Sequence, residues 1–382
     1  MYCSKPRLSG CALALSGGGF RATLFHVGSL WRLNELGYLR GLSEITSVSG
    51  GSITAAWLGL RWKDLAFDRC GVARNFRQVV AEPLKSFCGK TIDVNIILGS
   101  ILSPFKHPSE LLVARYDKHL FKGSTLQALP GKGEGPRFTI YATSLQTGAS
   151  VRFSRQYLAE YHLGRVMEPD VPLAAAVAAS SAFPPPLCPV KLELDAEKWE
   201  RLRGADLFDL RTLRETMFLG DGGIYDNLGL ERIWDRYDTV LISDAGAPFK
   251  VTSRAHMRMI RISQLARTKR TLDIMGAQVR ALRVRRVIAE LDSKKVKGAY
   301  WGIATHIDGY KLAKYGKHPP MVHDNSTTGE LSKVRTRLNR FHPEEQGRLI
   351  NWGYALADAA LRRYLTDDVV EPGRWPEPDF AL

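Results

Sequence analysis

The chain has 382 residues, 45% apolar and 24% charged, a globular composition that excludes disordered, fibrous and collagen-like classes. Its formal charge of +15 calls for an anionic partner such as a phospholipid surface, a nucleic acid or a phosphorylated small molecule. Five cysteines without a C-x-x-C pair argue against a disulfide framework and a zinc site, and fit a reducing cytoplasm.

The first apolar run, CALALS, reads as a buried strand, and the N-terminal stretch up to it is too short for a secretory leader. Three glycines follow, and then Leu24, Val27, Leu30 and Leu33 recur at helical spacing. The next unit repeats this grammar: EITSVS is strand-like, GGS is a corner and ITAAWLGLRW is helical. Two strand-to-helix corners in succession predict a parallel sheet with crossover helices, both corners at the carboxyl edge where sites gather.

Residues 63–135 are less regular and read as a helical cap or lid. They contain VNIILGSILSPF, Val94 to Phe105, the longest uncharged stretch. That is well short of the roughly 20 residues a membrane span needs. Strand signals return in RFTIYATSL and ASVRFS, and PLAAAVAASSAFPPP is an alanine-rich helix stopped by prolines. After a charged insertion, MFLGDGGIYDN places Asp221 on a third glycine-rich corner, and YDTVLISDAG gives a further strand. The basic segment from Ser263 carries Leu265, Leu272, Met275, Val279 and Leu282 on one helical stripe. Such a stripe is expected to pack on the protein's own sheet with its charges solvated, the alternative being a helix lying on an anionic membrane. Residues 1–365 form one domain, followed by an extended, proline-containing tail at 366–382.

Gly17, Gly19 and Ala22 satisfy the dinucleotide pattern G-x-G-x-x-[GA], but that reading needs an acid at the end of the second strand to hold the ribose. The nearby acid, Glu44, comes before that strand in this reading. The oxyanion reading fits better: Ser47-Val48-Ser49-Gly50-Gly51 resembles a nucleophile elbow, with Ser47 in place of the usual glycine. The backbone N–H groups of Gly17, Gly18 and Gly19 would then face the developing oxyanion. Asp221 is the candidate base, and its bland reading is a turn aspartate.

At these three points the chain resembles the patatin-like phospholipase family. SGGGFRA at Ser16 to Ala22, SVSGGS at Ser47 to Ser52 and DGGIYDN at Asp221 to Asn227 match the family's oxyanion, nucleophile and Asp-Gly-Gly motifs in order. SGGGFRA, with Arg21, is also similar to the cytosolic group-IV phospholipases, and AASSAFPPP to the family's fourth block. The resemblance implies a three-layer α/β/α fold with a mostly parallel central sheet and a helical lid-like insertion. It implies a Ser49–Asp221 dyad cleaving fatty-acyl esters of membrane phospholipids through an acyl-enzyme, with Gly17, Gly18, Gly19 and Arg21 at the oxyanion or substrate, and with no metal or cofactor. The expected partner is a phospholipid surface met peripherally from the cytosolic side, without a nucleic-acid polymer. A small anionic or cyclic-nucleotide regulator fits the charge, but no residue assigns one. Two rivals stand beside this reading. One is a Ser-His-Asp esterase drawing on His256, His306, His318, His323 or His342; the other is a nonenzymatic or nucleotide-gated protein that binds an anionic ligand.

Overall fold

Leu13 and Leu15 alternate with Ala12 and Ala14 along the first strand, and this period of two becomes two separate apolar clusters, one on each face of a sheet. A computed structural model describes residues 7–92, 107–185, 187–253, 257–258, 260–261, 263–366 and 369–382. Strand β1 (Leu8–Leu15) lies between β2 (Leu42–Val48) and β10 (Tyr237–Asp244). Outside them run β3 (Arg137–Ser144) and β11 (Lys297–Gly302), and all five strands are parallel. Beyond β3 the sheet turns antiparallel through β4 (Ser150–Phe153), β5 (Tyr157–Glu160), β6 (Gly164–Met167) and β8 (Trp199–Glu200).

One further pairing positions the site. Strand β9 (Thr216–Asp221), backed by β7 (Val190–Glu193), pairs antiparallel with the end of β3, Asp221 opposite Ala142. Since β4 occupies one edge of β3, β9 must share the other edge with β2, which pairs only as far as Val48 opposite Tyr141. The carboxyl ends of β2 and β9 therefore meet head to head along β3.

The Leu13/Leu15 face packs under α1 (Gly19–Glu35), α2 (Gly50–Leu60), α3 (Glu82–Cys88), α4 (Pro108–Tyr116), α5 (Leu173–Ser181) and α7 (Pro343–Tyr364). Helices α1 and α7 touch backbone to backbone: a Cβ on Gly28 would overlap the Ile350 carbonyl, and one on Gly353 the Phe25 carbonyl. The described parts of 63–135 join the same core, with the Phe87 ring edge-on to Phe20 at 5.3 Å. VNIILGSILSPF lies outside the described residues. The tail, expected to be simply extended, is docked on α7, where the Asn351 amide donates to the carbonyls of Glu377 (2.8 Å) and Phe380 (2.9 Å). Among the described residues no helix is long and apolar enough to cross a membrane.

The Ala12/Ala14 face is covered by residues 228–237 and by α6 (Gln264–Asp292), which packs there through Val284, Val287 and Leu291. Here the structure corrects the sequence reading. Leu272, Met275, Val279 and Leu282 do not pack on the sheet; they are between 45% and 60% exposed. The side of α6 turned inward is selected by ion pairs, Arg280 with Asp244 at 2.5 Å and Arg283 with Asp226 at 3.2 Å. These carboxylates are buried and cannot be left unpaired, so the helix presents arginines to the body and leaves its apolar stripe outside.

Candidate active site

The glycine corner after β1 adopts backbone that only glycine takes without strain, with φ +148° at Gly18 and +60° at Gly19. Gly17 commits its N–H to the Asn227 carbonyl at 3.1 Å. The N–H groups of Gly18 and Gly19 have no hydrogen-bond partner among the described residues. They are the open donors of the corner. Arg21 is buried behind it, donating to the carbonyls of Ala245 and Val334, both at 2.7 Å. Burial lowers its pKa to about 10, and its contacts brace the corner from the protein side.

Strand β2 ends in a turn at Ser49, whose φ of +52° and ψ of −121° are strained for a residue with a Cβ. This is the geometry of a nucleophile elbow, which lifts a hydroxyl clear of the strand and sets it at a helix N-terminus. The Ser49 side chain does not cap α2. Gly50 follows because a Cβ there would overlap the carbonyl of Gly19, so the serine corner nests against the glycine corner. Ser47, where the elbow pattern has glycine, is accommodated inside the sheet and accepts a hydrogen bond from Ser52 at 3.1 Å.

Asp221 closes β9 with its carboxylate buried. It accepts the Gly223 N–H at 2.7 Å, and the nearby Ser49 hydroxyl favours its ionised form. Burial raises its pKa to about 6 against the opposing pull of those two donors. The head-to-head strand ends thus bring the serine and aspartate of two distant motifs together. The amide oxygen of Asn227 abuts Gly17 and Gly223, and a Cβ on either glycine would overlap it.

A residue without an assigned role in the sequence reading ties these pieces. Ser180, near the end of α5, accepts the Ser49 N–H on its hydroxyl at 2.9 Å, while its carbonyl accepts the Gly222 N–H at 3.1 Å. The same hydroxyl shares a hydrogen bond with Ser52 at 2.8 Å, and the Ala182 carbonyl accepts the Asp221 N–H at 3.1 Å. One helix end holds both corners in register. The AASSAFPPP block and the asparagine of DGGIYDN were visible as motif letters, but nothing in their spacing shows which partner each would meet.

The histidines proposed for a triad lie elsewhere. His306 and His323 are exposed and face Asp324 and Asp308, His318 is half-buried and faces Glu371, and His342 begins α7 at the surface; His256 is outside the described residues. The one fully buried histidine among the described residues, His26, contacts Ser243 and the Ser16 carbonyl, both at 2.8 Å. Burial depresses its pKa to about 4. Glu44 lies inside β2 rather than before it, buried with Thr139, Arg232 and Tyr237 as donors. It is near the amino end of the strand, away from the glycine corner, where no ribose clamp can form. Around Asp221 the surface is apolar: Phe183, Leu145 and Ile224 are exposed, and the last two converge on Gly220.

A family model described as patatin-like phospholipase matches residues 13–234, more than half of the chain. No curated protein matches it by sequence. Among solved structures, human GIVD cytosolic phospholipase A2 superposes with a TM-score of 0.50 at 12% identity, covering 92% of this chain and 59% of that one. The same human enzyme in complex with methyl gamma-linolenyl fluorophosphonate gives 0.48 at 13% identity, covering 93% and 58%. VipD from Legionella pneumophila gives 0.33 at 16% identity, covering 93% and 66%. The chain thus spans about three-fifths of the human enzyme, and the first of these likenesses is one of fold.

Proposed function

The chain belongs to the patatin-like phospholipase family, and on that premise we propose that it is a lipid acyl hydrolase working through Ser49 and Asp221. The observation that carries this reading is the Ser49 hydroxyl set beside a buried Asp221 at the meeting point of β2 and β9, close enough to favour the ionised carboxylate. Asp221 takes the proton as Ser49 Oγ attacks an acyl-ester carbonyl. Its raised pKa makes it a better base than an ordinary carboxylate while leaving it ionised at neutral pH. The oxyanion forms against the free N–H groups of Gly18 and Gly19, each worth about 3 kcal/mol of transition-state stabilisation. Asp221 returns its proton to the departing alcohol, which leaves an acyl-Ser49, and then activates the water that releases the fatty acid. Gly17 and Arg21 shape and brace the corner without contributing a donor.

The exposed Phe183, Leu145 and Ile224 beside Asp221 favour an acyl chain as the group delivered to the serine. Membrane phospholipids are the substrate class this rim and the positive charge fit together. The test is hydrolysis of a short-chain p-nitrophenyl ester by the purified protein. Ser49→Ala and Asp221→Asn should each abolish turnover, while His306, His318, His323 and His342 substitutions leave it intact. Equal turnover in wild type and Ser49→Ala would refute the dyad.

A further inference from the structure

We infer that the outer face of α6 is the surface by which this protein docks on an anionic lipid bilayer, carrying the candidate active site with it. The inference rests on the lipid-hydrolase reading for its purpose but not for its evidence. Leu272, Met275, Val279 and Leu282 recur at intervals of three and four, and so line up on one side of the helix. All four are about half exposed. A soluble protein rarely leaves so long an apolar row in water without a partner for it.

Charge selects the partner. Exposed Arg267 and Arg285, 18 residues or five turns apart, lie along one edge of the row, and neither has an ion pair among the described residues. The loop after β10 extends the same character: Phe249 and Val251 are exposed, and the Arg270 guanidinium stacks 4.3 Å over the Phe249 ring. An apolar row bordered by arginines suits the headgroup boundary of an anionic leaflet, where apolar side chains enter the acyl region and guanidiniums meet phosphates.

Position links this face to the chemistry. Arg283 pairs with Asp226 and donates to the Tyr225 carbonyl, in the turn that follows Asp221 and exposes Ile224. Arg280 pairs with Asp244, next to Ala245, whose carbonyl holds Arg21 behind the glycine corner. The helix is therefore tied by ionic contacts to the turn after Asp221 and to the end of β10. Its inward arginines bind the enzyme and its outward row remains for lipid.

The experiment is co-sedimentation of the full chain with phosphatidylcholine vesicles, with and without phosphatidylserine. Wild type and Ser49→Ala should both bind the phosphatidylserine vesicles, and binding should weaken with salt and without the anionic lipid. A variant carrying Leu272→Gln, Met275→Gln, Val279→Gln and Leu282→Gln should lose about tenfold or more of that binding. It should keep its thermal transition and its hydrolysis of a soluble ester, and lose hydrolysis of vesicle lipid. Arg267→Gln with Arg285→Gln should flatten the salt dependence. Unchanged vesicle binding by the fourfold variant, or a row that instead holds two copies together in sedimentation, would overturn the inference. Because binding is read without turnover, its loss in the fourfold variant supports docking even if no ester is hydrolysed, and the failure of Ser49→Ala to abolish hydrolysis would touch only the dyad.

Discussion

At the level of single residues, Asp221 carries the sharpest consequence. Its pKa is raised to about 6 by burial, and as the proposed base it must be ionised. The kcat/KM for a soluble ester should fall as pH drops through about 6, with no second limb from histidine. The same shift bears on folding with a definite sign. Between the ordinary carboxylate value and about 6 the folded state holds a proton that the unfolded chain has released, so stability declines as pH rises through that window. Above it the ionised buried carboxylate costs about 3 kcal/mol. Asp221→Asn should therefore melt higher than wild type at pH 7.5 while being inactive, which a calorimetric scan of both proteins at pH 4 and pH 7.5 checks. Ser180 makes a second case. Ser180→Ala leaves the Ser49 N–H without its acceptor, so kcat should drop about tenfold with KM nearly unchanged, and Ser180→Thr should restore much of it. As candidates, Ser49, Asp221 and the glycines stood out in the sequence because corner chemistry restricts which residues fit. Ser180 and Asn227 did not, because their work is done on partners far away along the chain.

At the level of elements, the parallel strands and crossover helices followed from runs such as CALALS and EITSVS, each closed by glycine. The pairing of β9 did not: no local feature of MFLGD states that it runs antiparallel along the edge β2 vacates, and that edge is what joins Ser49 to Asp221. Periodicity likewise identified the α6 stripe but not its direction, since it marks a common side without saying what that side faces. The outcome was decided by Asp226 and Asp244, two buried acids whose need for arginine outweighed the burial of four apolar side chains. The α1–α7 contact yields a prediction at this scale. Gly353→Ala forces a methyl into the Phe25 carbonyl and should lower stability by about 2 kcal/mol. Denaturant titration should show a lower midpoint with an unchanged slope.

For the molecule as a whole, composition and charge set the class and favoured an anionic partner, and the two faces of the sheet divide the work. One face is closed by a thick helical layer. The other is covered by a thin layer that includes the helix with the outward apolar row. Architecture of this kind was implied by resemblance in three short motifs, while the asymmetry between its faces was not. The head-to-head arrangement of β2 and β9 has a bearing on biosynthesis. In a ribosome-bound chain Ser49 emerges long before residue 221 leaves the exit tunnel, and under the proposed dyad a serine without its aspartate cannot attack an ester. On the proposed mechanism, competence arrives only when both segments have joined β3, so the order of translation delays it until the second of them is made.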